Sequence, residues 1–196
     1  MGIKEEKALI RQEIRARRSA LTDTMLLKIG RDIPEMVFSV DDEDFASRLS
    51  KAKVVALYRA SQGELPVDDL AKAFIKKGIK VCFPKTEDGV MNFYFCPSME
   101  GKLFETGAYG IEEPVAGLEK ASPEDIDIAV VPAIAYNEEG TRLGQGGGYY
   151  DTFFAQSETY LVGICYDFQI CSDLPAEEHD LTVDMLLPVI VEDYEE

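Results

Sequence analysis

The sequence lacks several residue types and patterns on which particular protein classes depend. It has one histidine, His179, so a histidine-rich zinc site is not available. Its four cysteines, Cys82, Cys96, Cys165 and Cys171, form no Cys-x-x-Cys pair, which indicates buried, reduced thiols rather than a disulfide framework. No apolar run approaches the roughly 20 residues needed to cross a bilayer. The charged N-terminus lacks the apolar core of a secretion signal. We therefore expect a cytoplasmic protein with no membrane partner.

Positive charge is also scarce, with 20 lysines and arginines against 37 acidic residues and a formal net charge of -17. A protein this acidic repels nucleic-acid phosphates, so nucleic-acid binding is not expected. The 196 residues are 46% hydrophobic and 29% charged, as in ordinary globular proteins. We expect one domain spanning residues 1–196 that acts as a monomer on small molecules.

The first 20 residues depart from this balance, because they hold six basic and three acidic side chains. The pattern predicts a helix over residues 4–21, and spacings of 4, 4 and 3 place four cations on one face. These cations are Lys7, Arg11, Arg15 and Arg18. An adjacent apolar face holds Ile10, Ile14 and Leu21. Two interpretations stay open: the cations line the edge of a cleft, or the helix is solvated and its cations offset the acidic remainder.

The most informative segment covers residues 140–151, which combine five glycines with Arg142, Tyr149, Tyr150 and Asp151. Glycine can adopt left-handed backbone angles and bring N–H groups close to an anionic ligand. Residues 128–131 before the segment are typical of a buried strand, and residues 149–156 after it of a helix whose N-terminus favours an anion. No Walker sequence is present. The segment therefore indicates a phosphate site, the alternative being a glycine-rich hairpin without a ligand.

The rest of the chain has the pattern of an α/β protein. Further helices are predicted over residues 25–38, where Pro34 is expected to bend or split the helix, and over residues 42–49 and 67–77. Strands are predicted over residues 53–58, 80–83, 91–95, 160–165 and 185–191, with an irregular segment around Gly107, Gly110, Pro114 and Gly117. We expect an α/β fold with a mainly parallel open sheet flanked by helices and a ligand at the carboxyl ends of its strands.

Two acidic segments are further candidates. Glu64 lies in a loop after the first strand and is either a ligand contact or a surface or capping residue. Asp180 and Asp184, in the loop before the last strand, are candidates to join Asp151 around magnesium, which prefers carboxylate, water and phosphate oxygens. A solvated acidic loop is the alternative.

Several separate blocks resemble the 5-formyltetrahydrofolate cyclo-ligase family, also called methenyltetrahydrofolate synthetases, over nearly the whole chain. The most specific block runs from Val131-Pro132 through residues 140–144 to residues 148–151. The others are residues 7–11, 63–65, 105–114 and 163–169, Leu174-Pro175 and His179-Asp180. The chain departs from the family pattern at Val67, Asn137, Gln145, Gly147 and Pro188.

The resemblance implies a sheet layout like that of the NagB/RpiA/CoA transferase-like fold, with an N-terminal helical segment. It also implies an ATP- and magnesium-dependent closure of 5-formyltetrahydrofolate to 5,10-methenyltetrahydrofolate, with ADP and phosphate released. Phosphoryl transfer needs positioning and charge neutralisation rather than a protein nucleophile. Two alternatives stay open: a nucleotide- or folate-binding paralogue without catalysis, and a sugar-phosphate isomerase or CoA-transferase type of enzyme.

The resemblance also implies a set of site residues. The catalytic candidates are Arg142 and Lys7. The ATP-binding candidates are Lys7, Ala8, Leu9, Ile10, Arg11, Arg142, Leu143, Gly144, Gln145, Gly146, Gly147, Gly148, Tyr149 and Tyr150. The folate-binding candidates are Arg59, Glu64, Gly147, Gly148, Tyr149 and Tyr150. The magnesium candidates are Asp151 and Asp180, with Asp184 as a substitute for Asp180.

Overall fold

The computed structural model describes residues 2–61, 63–107, 110–177 and 180–194. In chain order, the strands are β1 (Val54–Ala56), β2 (Lys80–Glu87), β3 (Val90–Phe95), β4 (Phe104–Thr106), β5 (Glu112–Pro114), β6 (Lys120–Ala121), β7 (Ile128–Val130), β8 (Ala135–Tyr136), β9 (Arg142–Leu143), β10 (Tyr160–Tyr166) and β11 (Met185–Val189). The helices are α1 (Ile3–Ser19), α2 (Asp23–Phe38), α3 (Glu43–Lys51), α4 (Asp68–Lys76) and α5 (Tyr149–Phe154).

Seven of these strands form a central sheet in the order β11-β10-β7-β1-β2-β3-β6. The first five are parallel, while β3 and β6 are antiparallel to their neighbours at one edge. The predicted mainly parallel sheet flanked by helices is therefore confirmed. The antiparallel edge was not predicted, and it arises because β2 and β3 are joined by the tight turn at Asp88 and Gly89, both of which have positive φ.

Alternate residues of the inner strands pack on opposite faces of the sheet, as the two-residue period of a strand requires. In β1, Val55 belongs to the core cluster with α2, α3 and α4, whereas Val54 and Ala56 belong to the cluster with Phe154 of α5. Both faces are covered by apolar side chains. This explains why the strands are continuous hydrophobic runs in the sequence.

The predicted helices all form, with bounds that differ by a few residues. Thr22 caps α2 by accepting a hydrogen bond from Met25 N, and Asp42 caps α3 in the same way from Phe45 N. Pro34 does not split α2, which continues from Asp23 to Phe38. Ile29, Ile33 and Val37 hold the helix in the core, so tertiary packing offsets the hydrogen bond that a proline removes.

Two small antiparallel pairs lie outside the central sheet, β4 with β5 and β8 with β9. The segment predicted to be irregular therefore contains a two-stranded pair. The second pair separates β7 from the glycine-rich loop, so the strand that enters this loop is β9 and not residues 128–131 as predicted. Strands of two or three residues are too short to show a hydrophobic period.

Cys82, Cys96 and Cys165 are buried, Cys171 is half-buried, and all four are unpaired, as the sequence predicts. Within the described ranges, no helix combines the length and the apolar character needed to cross a membrane. The single histidine, His179, lies outside the described residues, and so do Ala108 and Tyr109 of the segment 105–114.

Candidate active site

A cavity of about 520 Å³ opens where β1 and β7 end. Tyr58 and Arg59 follow β1, Pro132 and Ala133 follow β7, and all four line the cavity. Carboxyl ends of parallel strands form a crevice between diverging connections, which is where open α/β sheets bind ligands. The cavity therefore occupies the position at which the α/β pattern predicts a ligand.

The glycine-rich loop forms one wall of this cavity. The hairpin before it is closed by Asn137, whose Oδ1 accepts a hydrogen bond from Thr141 N at 2.7 Å. Gly140, with φ 82°, passes close to Val183, where a Cβ would lie 2.8 Å from the carbonyl oxygen. Residues 144–148 then cross the cavity, with left-handed backbone angles at Gly146 and Gly148.

The loop amides are available to a ligand. Among the residues that the structure describes, the N–H groups of residues 144–148 donate to no protein acceptor. The helix that follows, α5, is six residues long, shorter than the predicted 149–156, so its dipole is small. Donors for an anion at this wall would therefore come mainly from the loop amides.

The cationic stripe of α1 faces this loop and its neighbours, so the helix is not simply solvated. Lys7 is 6% exposed, and its Nζ donates to Glu177 Oε2 at 2.7 Å and to Asp180 Oδ2 at 2.6 Å. Burial lowers the pKa of Lys7, but the hydrogen bonds and charges of Asp180 and Glu177 outweigh this and raise it above its ordinary value. Lys7 is therefore charged and already paired with carboxylates.

The next cations of the stripe contact the loop directly. Arg11 Nε donates to Gly144 O at 2.9 Å, and Arg15 Nη2 donates to Gln145 Oε1 at 2.6 Å. Residues 8–10, which lie between Lys7 and Arg11, make no hydrogen bond to the loop among the described residues. Leu9 is exposed, and Ile10 packs against the small apolar cluster formed by Ile14, Ile134, Ala135, Leu143 and Leu174. Helical geometry turns Leu9 away from the face that Lys7 and Arg11 share and places Ile10 beside it, and the contact of Ala8, Leu9 and Ile10 with ATP stays a prediction.

Arg142 lies beneath the loop and lines the cavity, with 4% of its surface exposed. One end of its guanidinium donates to Pro132 O at 2.8 Å, and the other donates to Asp151 Oδ2 at 2.8 Å. Its Nε is buried without a partner among the described residues. The guanidinium also lies 5.3 Å from the centre of the Tyr150 ring. Arg142 thus fixes the turn after β7 and the start of α5 around the cavity.

The two predicted magnesium ligands are engaged by cations and amides. Asp151 accepts hydrogen bonds from Arg142 and, through Oδ1, from Leu181 N at 3.0 Å. Asp180 Oδ2 accepts from Lys7 and from Glu177 N. In the described part of the chain, no three potential ligands are grouped closely enough to hold a metal ion. A magnesium ion at these two carboxylates would therefore need most of its ligands from phosphate and water.

Asp184, the substitute for Asp180, lies elsewhere. Its Oδ2 accepts a hydrogen bond from Leu161 N at 2.7 Å, next to the amino end of β10. The cavity is at the carboxyl ends of the parallel strands. Of the two alternatives, only Asp180 is seen to contact Lys7, at 2.6 Å, among the described residues.

Glu64 and Arg59 line the cavity opposite the loop. Glu64 is 9% exposed, accepts a hydrogen bond from Ser61 N at 2.9 Å and lies 3.6 Å from Arg18 Nη1. Arg59 pairs with Asp68 at 2.7 Å and with Glu112, and its guanidinium stacks over Phe104. A buried carboxylate held by one cation can recognise donor groups of a ligand, so Glu64 is more than a surface residue.

The aromatic wall consists of Tyr149 and Tyr150, which are partly buried and line the cavity. Burial raises the pKa of the Tyr150 hydroxyl, although the nearby Arg142 charge lowers it in part. Tyr150 is therefore a neutral phenol at physiological pH. Flat rings at this position can stack on a heteroaromatic ligand.

Sequence reasoning missed several cavity residues. Arg15 belongs to the predicted stripe but was given no ligand, and Thr86, Met91 and Ala133 line the cavity without any local motif. The four-residue spacing of the stripe was the signal that identifies Arg15. The other three come from separate strands and loops, whose meeting depends on the sheet order.

The fold and the cavity define an α/β protein with a candidate ligand site at the carboxyl ends of its strands. The 5-formyltetrahydrofolate cyclo-ligase family model matches residues 3–189. A 5-formyltetrahydrofolate cyclo-ligase from Mus musculus is 25% identical, over 94% of this chain and 94% of its own. One from Escherichia coli (strain K12) is 27% identical, over 91% of this chain and 95% of its own.

Solved structures agree with these relatives. The structure of an Aquifex aeolicus 5,10-methenyltetrahydrofolate synthetase has a TM-score of 0.77 and 32% identity, covering 93% of this chain and 89% of that one. A Mycoplasma pneumoniae 5,10-methenyltetrahydrofolate synthetase has the same fold, with a TM-score of 0.72 and 23% identity over 92% of this chain and 97% of that one. The chain belongs to the 5-formyltetrahydrofolate cyclo-ligase family. The prediction of a ligase-class enzyme is thereby confirmed.

Proposed function

We propose that the protein closes 5-formyltetrahydrofolate to 5,10-methenyltetrahydrofolate at the expense of ATP. The observation that carries this proposal is the loop of residues 144–148, which lines the cavity beside Arg15 and Arg142, contacts Arg11, and has amides without a protein acceptor among the described residues. Such a wall suits a triphosphate, because backbone donors and guanidinium groups both stabilise phosphate oxygens. Family membership supports the choice of folate as the second ligand.

The proposed reaction has two steps. The formyl oxygen bonds to the γ-phosphorus while the bond from that phosphorus to the β,γ-bridging oxygen breaks, which releases ADP and leaves an imidate phosphate. Nitrogen 10 then bonds to the activated carbon, loses its proton, and phosphate departs with the carbon–oxygen bond pair. No protein nucleophile is needed, because positioning and neutralisation of phosphate charge supply most of the acceleration in such transfers.

The residues take distinct roles in this proposal. The catalytic cations are Lys7 and Arg142, whose guanidinium group is buried. Arg11 and the amides of residues 144–148 hold the triphosphate. Glu64 and Arg59 orient the folate across the cavity. Tyr149 and Tyr150 pack against a ring of either substrate. The support for these roles is the placement of Arg142, Glu64 and the two tyrosines around one cavity.

Magnesium would be held by Asp151 and Asp180, directly or through water, together with phosphate oxygens. When bound, it would neutralise charge that develops on the transferring phosphate. Asp151 and Asp180 already accept hydrogen bonds from Arg142 and Lys7, so these cations would be shared between the carboxylates and the phosphates. The proposal includes a monomer that works in the cytoplasm as one unit over residues 1–196.

The test is an assay of the methenyl chromophore with purified protein, 5-formyltetrahydrofolate and Mg-ATP. We expect product in the complete mixture and none when ATP or magnesium is omitted. Arg142→Lys keeps the charge but loses the fork, and we expect turnover to fall at least tenfold. Binding of both ligands without product would instead identify a paralogue that has lost catalysis.

A further inference from the structure

The cations around the glycine loop differ in how their charge is balanced. Lys7 has two carboxylate partners, Arg142 has Asp151 at 2.8 Å, and Arg18 has Glu64 at 3.6 Å. Arg11 and Arg15 instead donate only to neutral oxygens, those of Gly144 and Gln145. Among the residues that the structure describes, neither has a carboxylate in ion-pair contact.

These two guanidinium groups also repel each other. The pKa of Arg11 is lowered first by desolvation and next by the charge of Arg15, with Asp180 compensating in part. Holding a second positive charge beside the half-buried Arg11 costs free energy. An anion placed between them and the loop would remove this cost, so this pair has more to gain from phosphate than the already paired Lys7.

The position of the pair suits such an anion. Arg11 Nη2 lies 3.8 Å from where a Cβ on Gly146 would be, and Arg15 lines the cavity beside Gly144 and Gln145. The unpaired amides of residues 144–148 lie on this part of the loop. The loop carries no charged side chain of its own, so every cation here must come from outside it.

We propose that Arg15 is a phosphate-binding residue that completes, with Arg11 and the loop amides, the site for the nucleotide phosphates, and that Gln145 positions it. Arg15 is exposed and its guanidinium is fixed by one hydrogen bond, to Gln145 Oε1 at 2.6 Å. That bond places the charge over the loop without neutralising it. A carboxylate at position 145 would instead quench the charge.

This inference rests on the proposed use of ATP. The test compares Arg15→Gln with the matched control Arg17→Gln, which removes an exposed arginine that stacks over Phe168 on another face of the same helix. Arg15 is exposed, so neither change is expected to affect folding. The measurements are the KM for each substrate by the methenyl assay and the Kd for a non-hydrolysable Mg-ATP analogue by calorimetry.

We expect Arg15→Gln to raise the KM for ATP and the analogue Kd roughly tenfold, which corresponds to about 1.4 kcal/mol, and to leave the folate KM within about twofold. Arg15→Lys should recover part of the loss, because it restores the charge without the fork. Gln145→Leu should raise the same two constants by about threefold, because the arginine loses its anchor. Arg17→Gln should match the wild type.

Three outcomes would overturn the inference. The first is an analogue Kd that is equal in Arg15→Gln and Arg17→Gln. The second is a rise in the folate KM alone, which would assign Arg15 to a carboxylate of the folate. The third is a wild type that binds no nucleotide at all. A wild type that binds the analogue but yields no methenyl product would refute the proposed function, and the comparison of Kd values would still decide the role of Arg15.

Discussion

Replacing Asp151 with asparagine is expected to destabilise the protein, because it leaves a buried cation without its counter-charge. Arg142 is 4% exposed, and Asp151 Oδ2 lies 2.8 Å from its Nη2. The amide of asparagine has nearly the same shape, but it keeps only one oxygen, which can accept from Leu181 N, while its NH2 group then faces the donor of Arg142. Asp151→Asn therefore removes both the charge and the hydrogen-bond acceptor of Arg142.

The size of the effect follows from burial. Two unit charges at about 4 Å and an effective dielectric constant of 20 attract by about 4 kcal/mol. Breaking a buried pair on one side costs about 3–5 kcal/mol, and the carboxylate here keeps some contact with water. The side chain of Asp151 is 20% exposed. We therefore expect the free energy of unfolding to fall by about 2–3 kcal/mol, and the melting temperature by roughly 5–10 °C.

The control is Asp44→Asn. Asp44 pairs with Arg48 at the same distance, 2.8 Å, but the two side chains are 64% and 48% exposed. Such a surface pair contributes less than about 1 kcal/mol. The chain has no tryptophan, so urea unfolding is best followed by far-ultraviolet circular dichroism. Equal losses of stability in the two variants would refute the claim that burial gives the Arg142–Asp151 pair its strength.

Other predictions concern pH, thiol reactivity and glycine. The Lys7 pKa is raised, so its ion pairs stabilise the fold fully below the unfolded-state pKa of about 10.4 and progressively less above it. Urea unfolding at pH 8 and pH 11 should therefore show that the difference in unfolding free energy between wild type and Lys7→Met is smaller at pH 11, and an equal difference at both pH values would contradict this. Burial raises the pKa of all four thiols, to about 12 for Cys96 and Cys165. A thiol reagent at pH 8 should therefore label the half-buried Cys171 first, and mass spectrometry that finds the buried cysteines labelled equally fast would disprove this prediction. A Cβ at Gly140 would lie 2.8 Å from Val183 O, so Gly140→Ala should lower the free energy of unfolding, measured in urea, by about 2–4 kcal/mol. Gly78 also has positive φ but lies in open space, so Gly78→Ala should lower it by only about 1 kcal/mol. Similar losses in the two variants would argue against the close approach at Gly140.

The central sheet could be predicted from the sequence because its inner strands are buried on both faces. Runs such as the one around Val55 and the one around Val162 are apolar over their whole length, which only a covered strand requires. The predicted helix bounds agree with those of the structure to within a few residues. The β8–β9 pair was not predicted because two-residue strands have no period. Pro34 does not split α2, because the apolar face of the helix is packed in the core.

The candidate site could be predicted only in part, for a similar reason. Glycines and charges marked the loop and the α1 stripe, since both are local patterns. The pairing of Lys7 with Asp180 joins residues 173 apart in sequence, and that of Arg11 with Gly144 joins residues 133 apart. No local pattern encodes such contacts, so the sequence could not show that Lys7 is already neutralised while Arg11 and Arg15 are not.

The central claim is that main-chain amides of residues 144–148 hold the nucleotide phosphates. It is tested most directly by following the assigned amide resonances of the protein as a non-hydrolysable Mg-ATP analogue is added. We predict the largest shifts at Gly144, Gly146, Gly147 and Gly148, with saturation at the calorimetric Kd. Nucleotide binding that leaves these four resonances unmoved while shifting amides elsewhere would contradict the account.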